Sequence, residues 1–297
     1  MAVLFLLGFS SGLPNLLTSQ TLQAWMDAVG LDLGRIANLN AIGLAYTFKF
    51  LWAPLLDRFR LPFLGRRRGW LITFQLLLIG AIASMGTIDP AVAPYALFIA
   101  ALAVAFLSAS LDIVIDAYNA DILAPEERGA GVATYVFGYR VSFIASHTFA
   151  LLLAGHGIPW RVVYAVMAVL MLLGVLGTLL ATEPAEPRDA PRTFDEAVAR
   201  PFTEFWRKLG GGRFALLLAF TMLYRFGDYF AQSLIISFLR RGAGFSLTEV
   251  ALVNKGLGVA GMAIGGLFAG TLVARFGVRR LLVGFGVMAA VTNLLYM

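Results

Sequence analysis

The chain has 297 residues, of which 60% are apolar and only 13% charged, against about 25% in an ordinary soluble domain, and its mean hydropathy is +0.82. This composition excludes a soluble globular protein. The net charge of +6 sits in short Arg clusters between apolar blocks, where it orients a membrane protein rather than binding nucleic acid, and with no Cys and two His no metal site is expected.

Apolar blocks of about twenty residues, the length of helix that crosses a ~30 Å hydrocarbon core, recur from end to end, which also excludes a lone signal peptide or anchor. In chain order they predict helical spans over 2–25, 36–57, 69–88, 95–118, 130–154, 160–181, 213–239 and 249–273. A ninth runs from Leu281 to Met297, the bare minimum for a crossing. It stops without a tail, and the first span starts at Met1 without a leader, so the chain is expected to be a fragment or a gene prediction cut at its 3′ end. The expected fold class is an all-α polytopic membrane protein.

Span 1 carries Asn15, Thr18, Gln20 and Gln23 beside Gly12 and Pro14. Pro14 has no N–H to donate, so a kink is expected there. Gln20 and Gln23 beside it are substrate-binding candidates, with interhelical hydrogen bonding as the alternative. In span 2, Lys49 shares a face with Tyr46 close to Trp52, and Asp57 and Arg58 close the span ahead of Arg66, Arg67 and Arg68. In span 4, Ser108, Asp112, Asp116 and Asn119 recur at i, i+4, i+8 and i+11 and form one polar stripe.

A charge at lipid depth costs at least about 2.5 kcal/mol on insertion scales, so each such residue is expected to face a partner or a wet cavity. Asp112 and Asp116 repel when both are ionised, so one of them is expected to hold a proton, and both are proton-coupling candidates. The alternative is that Lys49 or Arg140 neutralises them. After span 4, Asp121, Glu126, Glu127 and Arg128 are expected to form ion pairs at the gate. Arg140 in span 5 and Lys255 in span 8 have no acid nearby on their own helices, which suits them to an anionic ligand, Arg140 in bidentate fashion. In span 7, Thr221, Arg225, Asp228 and Gln232 share a face. Arg225 and Asp228 either pair with each other or serve substrate and proton. Lys49 completes the substrate-binding set, with pairing to Asp112 as the alternative. Trp25, Trp70 and Trp160 are expected as interface anchors, and Gly261, Gly265, Gly266 and Gly270 as close helix contacts.

With the N-terminus cytoplasmic, fifteen Lys and Arg fall on the inner connections and only Arg35, Arg161, Arg240 and Arg241 on the outer ones, so that orientation is expected. Residues 182–212 are rich in Pro and charge and separate six spans (1–181) from the rest (213–297). Within them Phe194, Val198, Phe202, Phe205 and Leu209 are spaced for an amphipathic helix on the inner leaflet; a solvated linker is the alternative. Six spans, a linker and a second set suit a transporter of two similar halves. An internal echo agrees: "APLLDRFRLPFLGRRRGW" follows span 2 and "GTLVARFGVRRLL" follows span 8, with Ala274 where the first copy has Asp57.

The loop at Asp57, Arg58, Gly65 and Arg66 to Arg68 resembles the signature loop of the major facilitator superfamily, apart from extra residues at Arg60 to Leu64. "GFSSGLP" at 8–14, "TLQAWM" at 21–26, "FKFLWAPLLDR" at 48–58, "GRRRGW" at 65–70, "SASLDIVIDAY" at 108–118, "EERGAG" at 126–131 and "GYR" at 138–140 together resemble the AmpG-type muropeptide permeases. In the second half the likeness rests on "RPFTEFWRK" and "YRFGDYF".

This resemblance implies proton-linked import of anhydromuropeptides across the bacterial inner membrane for cell-wall recycling, with an indirect link to β-lactamase induction. It implies at least twelve spans in typical members, a cytoplasmic gate latched by Asp57, Arg58, Arg66, Arg67 and Arg68 with Asp121, Glu127 and Arg128, and proton coupling through Asp112, Asp116 and Asp228. Acetyl-CoA transporters share parts of the pattern. A drug-proton antiporter is disfavoured because span 5 has no Gly-Pro motif. A non-transporting receptor or inactive fragment is disfavoured by the buried charges. The expected partners are a sugar-peptide, protons and the bilayer, with a monomer expected. No triad, phosphate-cradling loop or metal-ligand spacing is present, so neither catalysis nor a cofactor is expected.

Overall fold

Pro94, whose missing N–H costs nothing in a first helical turn, opens the longest helix among the described residues, Pro94–Ile122. In a computed structural model, which describes residues 1–32, 34, 38–59, 61–124, 126–184, 200–224, 235–252, 272, 275–276 and 278–293, its 29 residues span about 43 Å at 1.5 Å each. That exceeds a ~30 Å hydrocarbon core, so one end of the helix reaches beyond it.

The chain divides into two compact units, Met1–Arg200 and Pro201–Met297. In the first, α1 (Ala2–Leu17) and α2 (Gln20–Ala28) form one span, followed by α3 (Leu44–Thr47), α4 (Ala53–Arg58), α5 (Arg66–Met85) and α6 (Pro94–Ile122). Next come α7 (Arg128–Phe143), a π-helical turn at Ile144–Phe149 and α8 (Ala150–Gly155), which make one span, and α9 (Trp160–Leu170) with α10 (Leu172–Leu180), which make another. Among the described residues five helical stretches are long and apolar enough to cross a membrane, and there is no strand.

Two expectations need correcting. The kink expected at Pro14 appears one turn later, where Thr18 donates from its hydroxyl to the Pro14 carbonyl (3.0 Å) and Ser19 to that of Asn15 (2.7 Å); hydroxyls that bond back to the helix compete with its own N–H groups. Span 2, expected as one helix, is a series of short pieces: 3₁₀ turns at Asn38–Gly43 and Lys49–Leu51 alternate with α3 and α4. Pro54 falls in the first turn of α4, where a missing N–H is tolerated, and so marks where that last piece begins.

Helix α1 is the centre of the first unit. It packs along α7 and also touches α6 and α10, while α5 packs on α6, α9 and α10. Glycines allow the α1–α7 approach. A Cβ on Gly8 would collide with the Tyr135 carbonyl and one on Gly138 with that of Phe5, and Gly12 sits against Ser142 and Tyr139. Backbone-to-backbone contact of this kind is how helices associate where lipid removes the hydrophobic drive. Leu7, Leu13, Leu17, Leu78, Leu111 and Tyr164 are fully buried around it. Trp25 and Trp160, expected as separate interface anchors, stack at 5.5 Å between ring centroids, and Trp25 is buried. The Tyr164 hydroxyl beside them donates to the Leu17 carbonyl at the end of α1 (3.0 Å).

The second unit contains α11 (Arg200–Leu209, starting at the boundary), α12 (Gly211–Tyr224), a π-helical turn at Phe238–Gly242, α13 (Leu247–Val250) and α14 (Val278–Asn293). Trp206 of α11 packs on Phe214 of α12 (5.7 Å, edge on) across Gly210, whose φ of +76° suits a residue without a side chain. Ser246 and Glu249 form a reciprocal capping box at α13. Phe194, Val198, Gly261, Gly265, Gly266 and Gly270 lie outside the described residues, as do the side chains of Phe202 and Phe205.

Candidate functional site

Asp112 lies on α6 and is 9% exposed. Its carboxylate accepts a 2.6 Å hydrogen bond from the Ser11 hydroxyl of α1, and the same Ser11 oxygen lies 2.9 Å from the Tyr135 hydroxyl of α7. The glycine contacts between α1 and α7 bring Ser11 to Tyr135, and the packing of α1 on α6 brings it to Asp112. Tyr46 and Tyr139 also lie within electrostatic reach of Asp112, as do Lys49 and Asp116. The hydroxyl oxygens of Tyr46 and Ser108 are buried. A buried carboxylate is therefore surrounded by neutral hydroxyls from four segments, with no cation in direct contact among the described residues.

Lys49 pairs with Asp116, not with Asp112, at 3.4 Å, and that pair is open: the side chains are 33% and 59% exposed. Arg140 is exposed, with its guanidinium 5.7 Å from the Phe143 ring centre, and no carboxylate pairs with it among the described residues. The structure does not bring Gln20 and Gln23 to Asp112. They sit on α2, nine or more residues beyond Ser11, or about 14 Å along the helix. There Thr21 donates to the Ser146 carbonyl in the π-helical turn (2.6 Å). Arg225, Asp228 and Lys255 lie outside the described residues.

A second polar cluster closes one end of the unit. Arg67, 6% exposed, donates from Nη1 to Asp57 (2.5 Å) and from Nε to Asp121 (2.8 Å), and Arg66 donates from Nη2 to Asp121 (3.1 Å). Two helix ends cap each other beside it. Glu183, just past α10, accepts from the backbone N–H groups of Arg67 (2.8 Å) and Arg68 (3.0 Å) at the start of α5. The Arg68 guanidinium donates to the Thr178 and Leu179 carbonyls at the end of α10 (3.1 Å each). Both arrangements place charge where the helix dipole favours it. Gly65, with φ +90°, makes the turn into α5, and Glu183 fills the space where a Cβ would be. The ion pairs expected from Glu127 and Arg128 are not made among the described residues: both are exposed, because the loop after α6 turns them outward while Asp121, still on the helix, points at the Arg pair. The side chain of Arg58 lies outside what is described.

Ser11, Tyr135, Tyr139 and Glu183 did not emerge from sequence reasoning, and Tyr46 did so only as a neighbour of Lys49 on one helix face. Tyr135 and Tyr139 do carry a signal, four residues apart on one face of the helix that bears Arg140. Glu183 carries none, because its cap is made across more than a hundred residues.

Residues 1–297 match the Major Facilitator Superfamily. The chain is 45% identical over 292 residues to the anhydromuropeptide permease of Escherichia coli K12, covering 98% of this chain and 59% of the permease, so it spans about three fifths of that relative's length. It is 36% identical over 287 residues to an uncharacterized protein of Haemophilus influenzae, covering 96% of this chain and 67% of that one. Its fold matches the crystal structure of a bacterial homologue of the human lysosomal transporter Spinster, in an inward-facing, unoccupied conformation, with a TM-score of 0.65, 17% identity and coverage of 93% and 62%.

Proposed function

The chain belongs to the major facilitator superfamily, and from that premise we propose that it is a proton-coupled permease that imports anhydromuropeptides across the bacterial inner membrane by alternating access. It is a multi-pass membrane protein of transporter type, not an enzyme. The substrate assignment rests on one observation, the 45% identity to the Escherichia coli anhydromuropeptide permease along 98% of the chain. Proton coupling is supported by Asp112: a buried carboxylate hydrogen-bonded by the Ser11 hydroxyl has no cation paired with it among the described residues, and a proton is the simplest species that neutralises it.

In this reading residues 1–181 form the first half, 182–212 the linker and 213–297 belong to the second half, with the N-terminus cytoplasmic. Asp112 and Asp116 carry protons, with Asp228 their counterpart in the second half. Lys49, Arg140, Arg225 and Lys255 meet the acidic groups of the peptide. The Asp57, Arg66, Arg67 and Asp121 cluster braces the cytoplasmic end of the first half. The test is uptake of a labelled anhydro-disaccharide tripeptide into membrane vesicles that contain the protein. Accumulation should follow an inward proton gradient and stop when a protonophore is added. Accumulation indifferent to the protonophore would remove the coupling, and absence of uptake would remove the substrate.

A further inference from the structure

Asp112, Ser11 and Tyr135 belong to three different helices, and their hydroxyl and carboxyl groups form one hydrogen-bonded chain (2.6 and 2.9 Å). Its direction follows from counting protons. An ionised carboxylate has none to give and a hydroxyl has one. The single proton of Ser11 is committed to Asp112, so the contact with Tyr135 has to be donated by Tyr135. With Asp112 charged, every O–H in the chain points inward and the phenolic proton is hidden from anything outside it.

A proton on Asp112 removes the constraint. The acid O–H is the strongest donor of the three; it gives to Ser11, Ser11 gives to Tyr135, and the phenolic proton turns out of the chain. The only covalent bond formed is the new O–H on Asp112, and the chain releases no proton. Water is poorly placed to interrupt this, because Ser11 is 1% and Asp112 9% exposed and the glycine contacts hold α1 against α7. Among the described residues the charged and titratable groups facing Asp112 are Lys49, Asp116, Tyr46, Tyr135 and Tyr139. Of these Lys49 is engaged with Asp116, and Tyr135 is the one joined to Asp112 through Ser11.

On the proton-coupled reading above, we propose that Ser11 is a positioning residue that converts the protonation state of Asp112 into the direction of the Tyr135 hydroxyl, which donates to a carbonyl or carboxylate of the substrate only after Asp112 has taken up its proton. Proton binding then precedes tight substrate binding, and the coupling is one reversible hydrogen-bond direction.

The test is equilibrium binding of the labelled anhydro-disaccharide tripeptide to the purified protein between about pH 8 and about pH 5.5. The wild type should tighten about tenfold as pH falls, the value of roughly one hydrogen bond. Ser11→Ala and Tyr135→Phe should each change less than about twofold over that range, and the double variant no less than either single one. Asp112→Asn, whose amide can donate to Ser11 as the acid does, should bind at every pH about as tightly as the wild type does at low pH. A wild type without a pH slope, or either single variant that keeps the wild-type slope, overturns the proposal. If Ser11→Ala does not fold, Tyr135→Phe decides alone, since its lost hydroxyl lies at the end of the chain. Protonophore-sensitive uptake by the wild type combined with an unchanged slope in Tyr135→Phe removes this device and leaves the symport standing, whereas protonophore-insensitive uptake removes the symport whatever the slopes.

Discussion

Asp112 and Asp121 lie nine residues apart on one helix, and the protein treats their charges in opposite ways. Asp121 accepts from two guanidinium groups, one of which it shares with Asp57. Asp112 accepts from the hydroxyl of Ser11. A guanidinium holds a carboxylate ionised because ion pairing and charge-assisted hydrogen bonding both favour the charged form. A hydroxyl supplies a hydrogen bond without charge, and the low dielectric around it leaves ionisation costly. On the proposed reading the difference separates a brace from a switch: the Arg cluster would fix helix ends in one arrangement, and the hydroxyl cluster would leave a proton to decide.

That contrast is broken most forcefully at Arg67. Replacing it with Ala leaves Asp57 without its guanidinium and Asp121 with Arg66 alone, and removal of one partner from a buried ion pair costs about 3 to 5 kcal/mol. The expected result is a marked fall in melting temperature in detergent, with poor recovery of folded protein; a melting temperature within a degree of wild type would show the cluster to be ornamental. Glu183→Ala comes next. It removes acceptors from two backbone N–H groups at the start of α5, a loss of about 1 to 2 kcal/mol by analogy with other helix caps. Glu183→Gln, which keeps one acceptor oxygen, should recover part of it, and thermal unfolding of the pair of variants measures the difference.

How far the sequence reveals this arrangement depends on the range of the interactions. The spans that match their predictions are uninterrupted apolar runs, in which composition alone fixes a helix of membrane length: 95–118 appears as Pro94–Ile122 and 160–181 as Trp160–Leu180. Span 2 has the same composition and still breaks up; Pro54 marks only the start of α4, and the breaks ahead of it leave no mark in hydropathy. The stripe at Ser108, Asp112 and Asp116 was legible from helical spacing, and so was the Asp57 and Arg loop. Partner choice was not. Lys49 has Asp112 and Asp116 one turn apart to choose from, and only the path of the broken second span places it on Asp116. Ser11 meets Asp112 across 101 residues where α1 packs on α6, and it meets Tyr135 because Gly8 and Gly12 let α1 approach α7. Those two glycines carry the same four-residue spacing that was read as a close contact on span 8, so this was a signal present and unused.

The smallest effects on stability are expected at the switch, and they sharpen the contrast most. Asp112→Asn removes a buried charge, keeps a hydrogen bond to Ser11 through its amide N–H and changes almost no volume, so stability should move by less than about 1 kcal/mol in either direction. Gradient-driven accumulation should nevertheless be lost, because no proton can be taken up there. Lys49→Gln removes one member of an open pair, and such pairs contribute about 0 to 1 kcal/mol. Its melting temperature should match wild type, and any effect on transport should appear in substrate affinity, through the loss of a cation beside the hydroxyl cluster. A large drop in melting temperature for Asp112→Asn would mean that its carboxylate braces the bundle as Asp121 does, and the distinction between the two carboxylates of α6 would disappear. A normal proton-driven gradient in that variant would move the coupling to another acid, of which Asp116, one turn along α6, 59% exposed and paired with Lys49 of span 2, is the nearest.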